Sequence, residues 1–164
     1  MTGVQTCALP ISLRHAAATV RTSRDMLGRT FNGVGEPIDG LPPVLATRER
    51  PITGQAVNPV ARAKPNNFIE TGLSAIDGFN TLVRGQKLPI FAGAGLPANE
   101  VAGLIVRQAT ARGADDFVVV FAAMGITDRE AEYFRNTFRD SGRSQSVVLF
   151  MNKADDPAIE RLFA

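Results

Sequence analysis

Three stretches of the chain combine residue types and spacings that could do chemistry. The richest is Gly93, Ala94, Gly95, Leu96, Pro97, Ala98, Asn99 and Glu100. Apolar residues 88–92 precede it, and Val101, Leu104, Ile105 and Ala109 follow at the spacing of one helix face. The pattern predicts a short strand, a glycine turn and a helix opening near Asn99 and closing at Gly113. That arrangement cradles phosphate, because small residues let backbone N–H groups and the positive end of a helix approach an anion. A working loop, G-x-x-x-x-G-K-[ST], also needs a lysine for the β- and γ-phosphates and a hydroxyl for the metal. Counted from Gly93, the positions of Gly, Lys and Ser/Thr hold Ala98, Asn99 and Glu100; counted one residue earlier, they hold Pro97, Ala98 and Asn99. Neither register keeps the lysine or the hydroxyl, and Glu100 would bring negative charge toward phosphate. The stretch reads as a degenerate P-loop: a nucleotide-type site without its catalytic parts.

Two other chemistries compete for these residues. Gly93, Gly95 and Ala98 also satisfy G-x-G-x-x-[GA], the fingerprint of an NAD(P)-dependent oxidoreductase, which expects an acid for the ribose at the end of the next strand. Here that strand ends in Ala122, Ala123 and Met124. The second stretch, Asn152-Lys153-Ala154-Asp155, copies the N-K-x-D pattern with which a GTPase reads guanine. It lacks the lysine-bearing loop that phosphoryl transfer in that class requires. The plainer role for Asn152 and Asp155 is to shape a turn. The third stretch, Gly125-Ile126-Thr127-Asp128-Arg129-Glu130, contains a capping box at Thr127 and Glu130, with Asp128 as first-turn charge. Gly33 and Gly35 are not a nucleotide loop, since Pro37 follows and no helix does. His15 is the single histidine and has no second metal ligand near it. No catalytic residue and no metal site are expected.

The elements that must hold these stretches follow from punctuation and periodicity. Residues 25–65 are dense in turn formers, among them Asn32-Gly33, Asp39-Gly40, Pro42-Pro43 and Asn58-Pro59, and predict a strap of short extended pieces. Beyond Lys64 strands and helices alternate. A helix is expected from Ser74 to about Arg84, with Gly85 as its stop. Residues 117–123 form a Val-rich run suited to a parallel strand buried on both faces, and residues 146–151 a second. Between them the capping box launches a helix to about Asp140, stopped by Gly142, and Asp156-Pro157 opens a last helix as N-cap and first position. Alternation of this kind is the signature of an α/β fold.

With 45% hydrophobic and 21% charged residues in 164, the composition is that of a globular domain. No apolar run is long enough to span a bilayer. The net charge of +2 is scattered, which gives no support to nucleic-acid binding. Residues 1–11, which hold the single cysteine, Cys7, resemble the translation of a sequencing adapter joined in frame to a coding sequence. They are expected to be foreign to the protein, and the gene to be cut at both ends. From residue 12 to about residue 24 nothing periodic persists, although residues 15–20 are apolar enough to be the end of a strand or a connector.

Taken together, Met26-Leu-Gly-Arg-Thr-Phe-Asn-Gly-Val-Gly-Glu-Pro-Ile-Asp-Gly40, Asn58-Pro-Val-Ala-Arg62, Thr71-Gly-Leu-Ser-Ala-Ile-Asp77, Arg84-Gly-Gln-Lys-Leu-Pro-Ile-Phe91, Gly95-Leu-Pro-Ala-Asn-Glu100, Val120-Phe-Ala-Ala-Met-Gly-Ile-Thr127 and Asn152-Lys-Ala-Asp-Asp-Pro-Ala-Ile-Glu-Arg161 resemble, in order and spacing, the B subunits of vacuolar/archaeal-type rotary ATPases (V-type ATP synthases), bacterial or archaeal branch. The resemblance implies an incomplete P-loop NTPase-like (RecA-like) parallel sheet with flanking helices over residues 66–164. The resemblance also implies that the strap of residues 25–65 precedes it and that residues 12–24 are the end of an N-terminal β-barrel or a linker. It implies a non-catalytic subunit that alternates with catalytic A subunits in an A3B3 hexamer. That head works with central and peripheral stalk subunits to couple ATP synthesis or hydrolysis to H+ or Na+ transport. Such a subunit is cytoplasmic, peripheral to the cell membrane and joined to it only through the ion-translocating sector. It requires no cofactor, and its binding of ATP or ADP is weak. Catalytic relatives carry a Gly-Glu-Arg-x-x-Glu turn whose first Glu polarises the attacking water, and aligning that turn to Gly125 through Glu130 places Ile126 at the catalytic position. An isoleucine can neither orient nor deprotonate water. The arginine that B subunits extend into the neighbouring site is expected beyond residue 164.

Overall fold

The computed structural model describes residues 19–52, 54, 56, 58–111 and 117–162. Residues 1–11, Cys7, His15 and Gly113 lie outside this set. The chain runs β1 (Thr19–Thr22), β2 (Thr30–Asn32), β3 (Arg48–Pro51), β4 (Ile69–Glu70), α1 (Ser74–Phe79), α2 (Ala98–Gln108), β5 (Thr110–Ala111), β6 (Val119–Ile126), α3 (Asp128–Asp140) and β7 (Val147–Lys153). The main sheet is three-stranded and parallel, in the order β2-β7-β6. Two small antiparallel pairs, β1 with β3 and β4 with β5, lie beside it in the topology. The fold is mixed α/β around a parallel sheet.

The period of two along β7 sends its side chains into two cores. Val147, Leu149 and Met151 pack with Val106 of α2 and with Ala131, Phe134 and Phe138 of α3. Val148 packs with Met26 and Phe31, and Phe31 stacks on Phe150 with ring centroids 5.5 Å apart. The strap is thus more than a wrapping, because its Phe31 pairs in register with Phe150 and β2 becomes the third strand of the sheet. The turns around it need glycine: Gly28, Gly35 and Gly40 all have positive φ.

Helix α3 starts and stops where the sequence indicates. The Thr127 hydroxyl accepts from the Glu130 N–H while the Glu130 carboxylate accepts from the Thr127 N–H, which closes the capping box, and Gly142 follows the end with φ +67°. Phe121 of β6 packs against Phe134 and Phe138. The other face of β6 is not covered. Val120 and Met124 are 65% and 54% exposed, and Val118, just ahead of the strand, is 45% exposed, so the expectation of a strand buried on both faces holds for β7 and fails for β6.

Other expectations are corrected by long-range pairing that local sequence does not encode. Residues 88–92 form no strand: among the described residues nothing pairs with them, and Phe91 is 92% exposed. Helix α1 ends at Phe79 rather than near Arg84, because residues 82–84 bond to 67–69 through Ile69 N–H to Leu82 O and Arg84 N–H to Asn67 O. Helix α2 ends at Gln108 rather than Gly113, because Thr110 and Ala111 pair with Glu70 and Ile69. Its most buried residues are Gly103 and Val106 rather than Val101, Leu104 and Ile105. The last helix is a 3-10 turn, Ala158–Leu162, and Asp156 does not cap it: its carboxylate accepts from the Lys153 N–H at 2.6 Å.

Candidate functional site

The loop of Gly93, Ala94, Gly95, Leu96 and Pro97 is exposed, and α2 begins at Ala98 with Pro97 as a cap that offers no side-chain hydrogen bond. Gly95 has φ +83°, the left-handed conformation expected of a glycine turn. Two of the N–H groups a phosphate loop would aim at an anion are engaged inside the loop: Leu96 donates to Gly93 O at 3.2 Å and Ala98 to Leu96 O at 2.8 Å. Glu100 adds an acid to the first turn, the end of a helix that otherwise favours anions.

Asn99 occupies the lysine position in the Gly93 register and is half-buried. Its Nδ2 donates to Glu130 Oε1 at 2.8 Å, across 31 residues of sequence. The other carboxylate oxygen, Oε2, accepts from the Thr127 N–H at 2.8 Å and from its hydroxyl at 2.9 Å. One carboxylate therefore joins the start of α2 to the start of α3. Its pKa is held below the ordinary glutamate value, first by the Thr127 N–H, then by the Asn99 amide and the Thr127 hydroxyl.

Ile126 sits at the end of β6, just past a register shift against β7 at Gly125, which has φ +68°. A bulge of this kind re-aims the side chain that follows it. Ile126, like Ala102 of α2, packs against the buried core that α3 shares with β7, and its carbonyl accepts from the Ala154 N–H at 2.8 Å. The position is used for apolar contact. Next to it Asp128 pairs with Lys153 at 2.8 Å, an exposed bridge that lowers the pKa of the acid and raises that of the lysine.

The N-K-x-D residues do not form a base-reading surface. Asn152 is 0% exposed inside β7, and its Oδ1 accepts from Arg161 Nε at 3.0 Å, so no guanine can reach it. Asp155 is exposed, and Asp156 rather than Asp155 holds the turn. Arg161 also reaches Ala154 O at 3.4 Å and lies beside Gly125, which ties the chain's last described turn to the carboxyl ends of β6 and β7. Sequence reading missed both the Asn99–Glu130 and the Asn152–Arg161 contacts. The capping-box spacing located the Glu130 carboxylate but carried no sign of its second partner. The dinucleotide reading gains no support either, because β6 carries no acid from Val119 to Ile126 that could meet a ribose.

Comparisons with known proteins agree on the affiliation. The chain is 55% identical over 169 aligned residues to the V-type ATP synthase beta chain of Thermus thermophilus, and equally so to the sequences from two strains of that organism. Each alignment takes in 98% of this chain and 35% of the relative, so the chain spans about a third of the length of the relatives it matches. Among solved structures it is similar to a unique ATP synthase subunit, NeqB, from Nanoarcheaum equitans, with a TM-score of 0.76 and 34% identity over 88% of this chain and 34% of that one. Residues 72–164 match the nucleotide-binding domain of the ATP synthase alpha/beta family, and with the parallel sheet and the glycine loop in place, the chain belongs to that family.

Proposed function

We propose that this chain is part of the non-catalytic B subunit of a V-type rotary ATPase or ATP synthase. In this reading residues 66–164 are the first half of a RecA-like nucleotide-binding domain, residues 25–65 the strap that enters it, and residues 12–24 a barrel remnant or linker. The observation that carries the proposal is the Asn99–Glu130 contact: the residue in the lysine position holds a carboxylate where a catalytic loop would hold phosphate. Ile126, packed into the core in place of a water-polarising glutamate, supports the same reading.

The subunit alternates with catalytic A subunits in an A3B3 head that acts through central and peripheral stalks and couples ATP synthesis or hydrolysis to H+ or Na+ transport. It is cytoplasmic and peripheral to the membrane, needs no cofactor, and binds ATP or ADP weakly at most. The residues present do not fit a tightly bound Mg-nucleotide, since the loop offers neither a cation nor a metal-binding hydroxyl and Glu100 opposes the charge. Isothermal calorimetry on the complete subunit is expected to show little or no Mg-ATP binding. An affinity in the low micromolar range would refute the proposal. Asn99→Lys with Glu100→Thr is expected to raise affinity without giving turnover, because Ile126 remains.

A further inference from the structure

Three steps in the sequence join an Asn or Asp to a following glycine: Asn32-Gly33, Asp39-Gly40 and Asp77-Gly78. Glycine has no side chain to obstruct its own backbone nitrogen, which at such a step can attack the preceding side-chain carbonyl carbon. The two aspartates are held as carboxylates, which are poor targets. Arg29 gives Asp39 two bonds and the Thr30 and Leu41 N–H groups one each, and Asp77 accepts from the N–H and hydroxyl of Thr71 and from the Gly72 N–H. Asn32 carries a neutral amide, a better electrophile, and only geometry stands in the way.

Four hydrogen bonds fix that residue. Its N–H donates to Glu36 O at 2.8 Å and its carbonyl accepts from the Gly35 N–H at 3.1 Å, while its Oδ1 accepts from the Glu36 N–H at 2.8 Å and its Nδ2 donates to Glu36 Oε2 at 3.3 Å. Asn32 also pairs with Met151 at the end of β2. Attack requires the amide to turn back onto the Gly33 nitrogen. The amide is held toward Glu36 instead, and Gly33 is buried so tightly that a Cβ there would stand 2.7 Å from both Cβ and the carbonyl oxygen of Glu160. These contacts also account for the labile pair being present. Only glycine can lie against Glu160, and an amide can accept from the Glu36 N–H while donating to the Glu36 carboxylate.

We propose that Asn32-Gly33 is a latent deamidation site which the closed strap protects and whose reaction makes opening of the strap permanent. Once β2 leaves the sheet, the Gly33 nitrogen bonds to Asn32 Cγ, the Cγ–Nδ2 bond breaks, and the Gly33 proton departs with Nδ2 as ammonia. Water then opens the five-membered imide, at Cγ to give aspartate or at the backbone carbonyl of residue 32 to give isoaspartate. Either product opposes reclosure. Aspartate puts a carboxylate where Nδ2 donates to Glu36 Oε2, so an attraction across 3.3 Å becomes a repulsion between like charges. Isoaspartate runs the main chain through Cβ and Cγ, and the added carbon takes the end of β2 out of register with Met151.

The test follows Asn32 by peptide-mapping mass spectrometry in the complete subunit, aged at mildly alkaline pH. Deamidation of the folded protein is expected to be slower by about ten-fold or more than in denaturing guanidinium, because it draws on the open population alone. Asp39→Asn loosens the clamp on Thr30 and leaves the residues around Asn32 as they are. It is expected to speed the folded reaction about ten-fold and to leave the unfolded rate unchanged. Guanidinium below the global unfolding transition should act in the same direction and needs no substitution. Asn32→Asp, which is one of the products, is expected to raise amide hydrogen exchange at residues 30–32 about ten-fold. Equal rates in folded and unfolded protein, a folded rate indifferent to both Asp39→Asn and mild guanidinium, or unchanged exchange in Asn32→Asp would each overturn the proposal.

Discussion

Replacing Glu130 tests how the degenerate loop is held. The carboxylate takes three hydrogen bonds, from Thr127 N–H, Thr127 Oγ1 and Asn99 Nδ2, all at 2.8–2.9 Å. Glu130→Ala removes the reciprocal half of a capping box, about 1 kcal/mol, and a hydrogen bond to a charged acceptor, about 1.5–3 kcal/mol in buried settings. Because Glu130 is half-buried rather than enclosed, the lower part of that range applies, and the expected loss is about 2.5 kcal/mol. Asn99→Ala removes one of these bonds and is expected to cost about 1 kcal/mol. The double variant then loses less than the sum, with a coupling of about 1 kcal/mol. Denaturant unfolding of the complete subunit near neutral pH measures all four corners of the cycle. The sign with pH is set by a carboxyl whose folded pKa is lowered: its contribution is present above the unfolded value, roughly 4.3, and is lost as pH falls through the lower folded value. The coupling should therefore fade in acid. Additivity within about 0.3–0.5 kcal/mol near neutral pH would show that the contact joins nothing, and the structural basis for a loop committed to Glu130 would fall with it.

Asp39→Asn is expected to cost about 1–2 kcal/mol. Arg29 holds the Asp39 pKa at about 2. Its stabilisation, complete above the ordinary aspartate value, should drain as pH falls from about 4 toward about 2; an acid-unfolding profile identical in wild type and variant would sink this. Gly33→Ala should destabilise by about 1–3 kcal/mol, because a Cβ there would stand 2.7 Å from both Cβ and the carbonyl oxygen of Glu160; an unchanged melting temperature would mean that the strap and the last turn are not in contact. The 164-residue chain alone, with Val120 and Met124 open on β6 and Phe91 exposed, is expected to bind anilinonaphthalene sulfonate and self-associate while keeping its secondary structure. A monomeric, dye-negative sample with one sharp thermal transition would count against its being part of a larger domain.

What was legible in the sequence was what local chemistry decides. Thr127 and Glu130 announce a helix start at fixed spacing, and the continuous run 147–151 announces a buried strand, so α3 and β7 lie where periodicity puts them. Residues 88–92 read equally well as a strand and are not one here, since a strand exists only as a partner's neighbour and no described residue pairs with them. The same limit explains β2. Three residues, Thr30 to Asn32, are too few to announce themselves among the turn formers, yet Phe31 is buried because Phe150 stands opposite it.

The site divides along the same line. Loss of the lysine and of the hydroxyl is a statement about residue types and needs no structure. What replaces the lost chemistry is a statement about distance, and Asn99 finds Glu130 only because β6 and α3 carry that carboxylate back to the head of α2. Asn152 shows the risk of stopping at type and spacing. Its four-residue pattern matches a guanine reader, but burial inside β7 and the bond from Arg161 turn the same amide into a clasp near the carboxyl end of the central strand. A motif fixes which groups are available, and the fold decides whether they face a ligand or each other; in this chain the Asn99 amide has turned to Glu130 and the Asn152 carbonyl oxygen to Arg161.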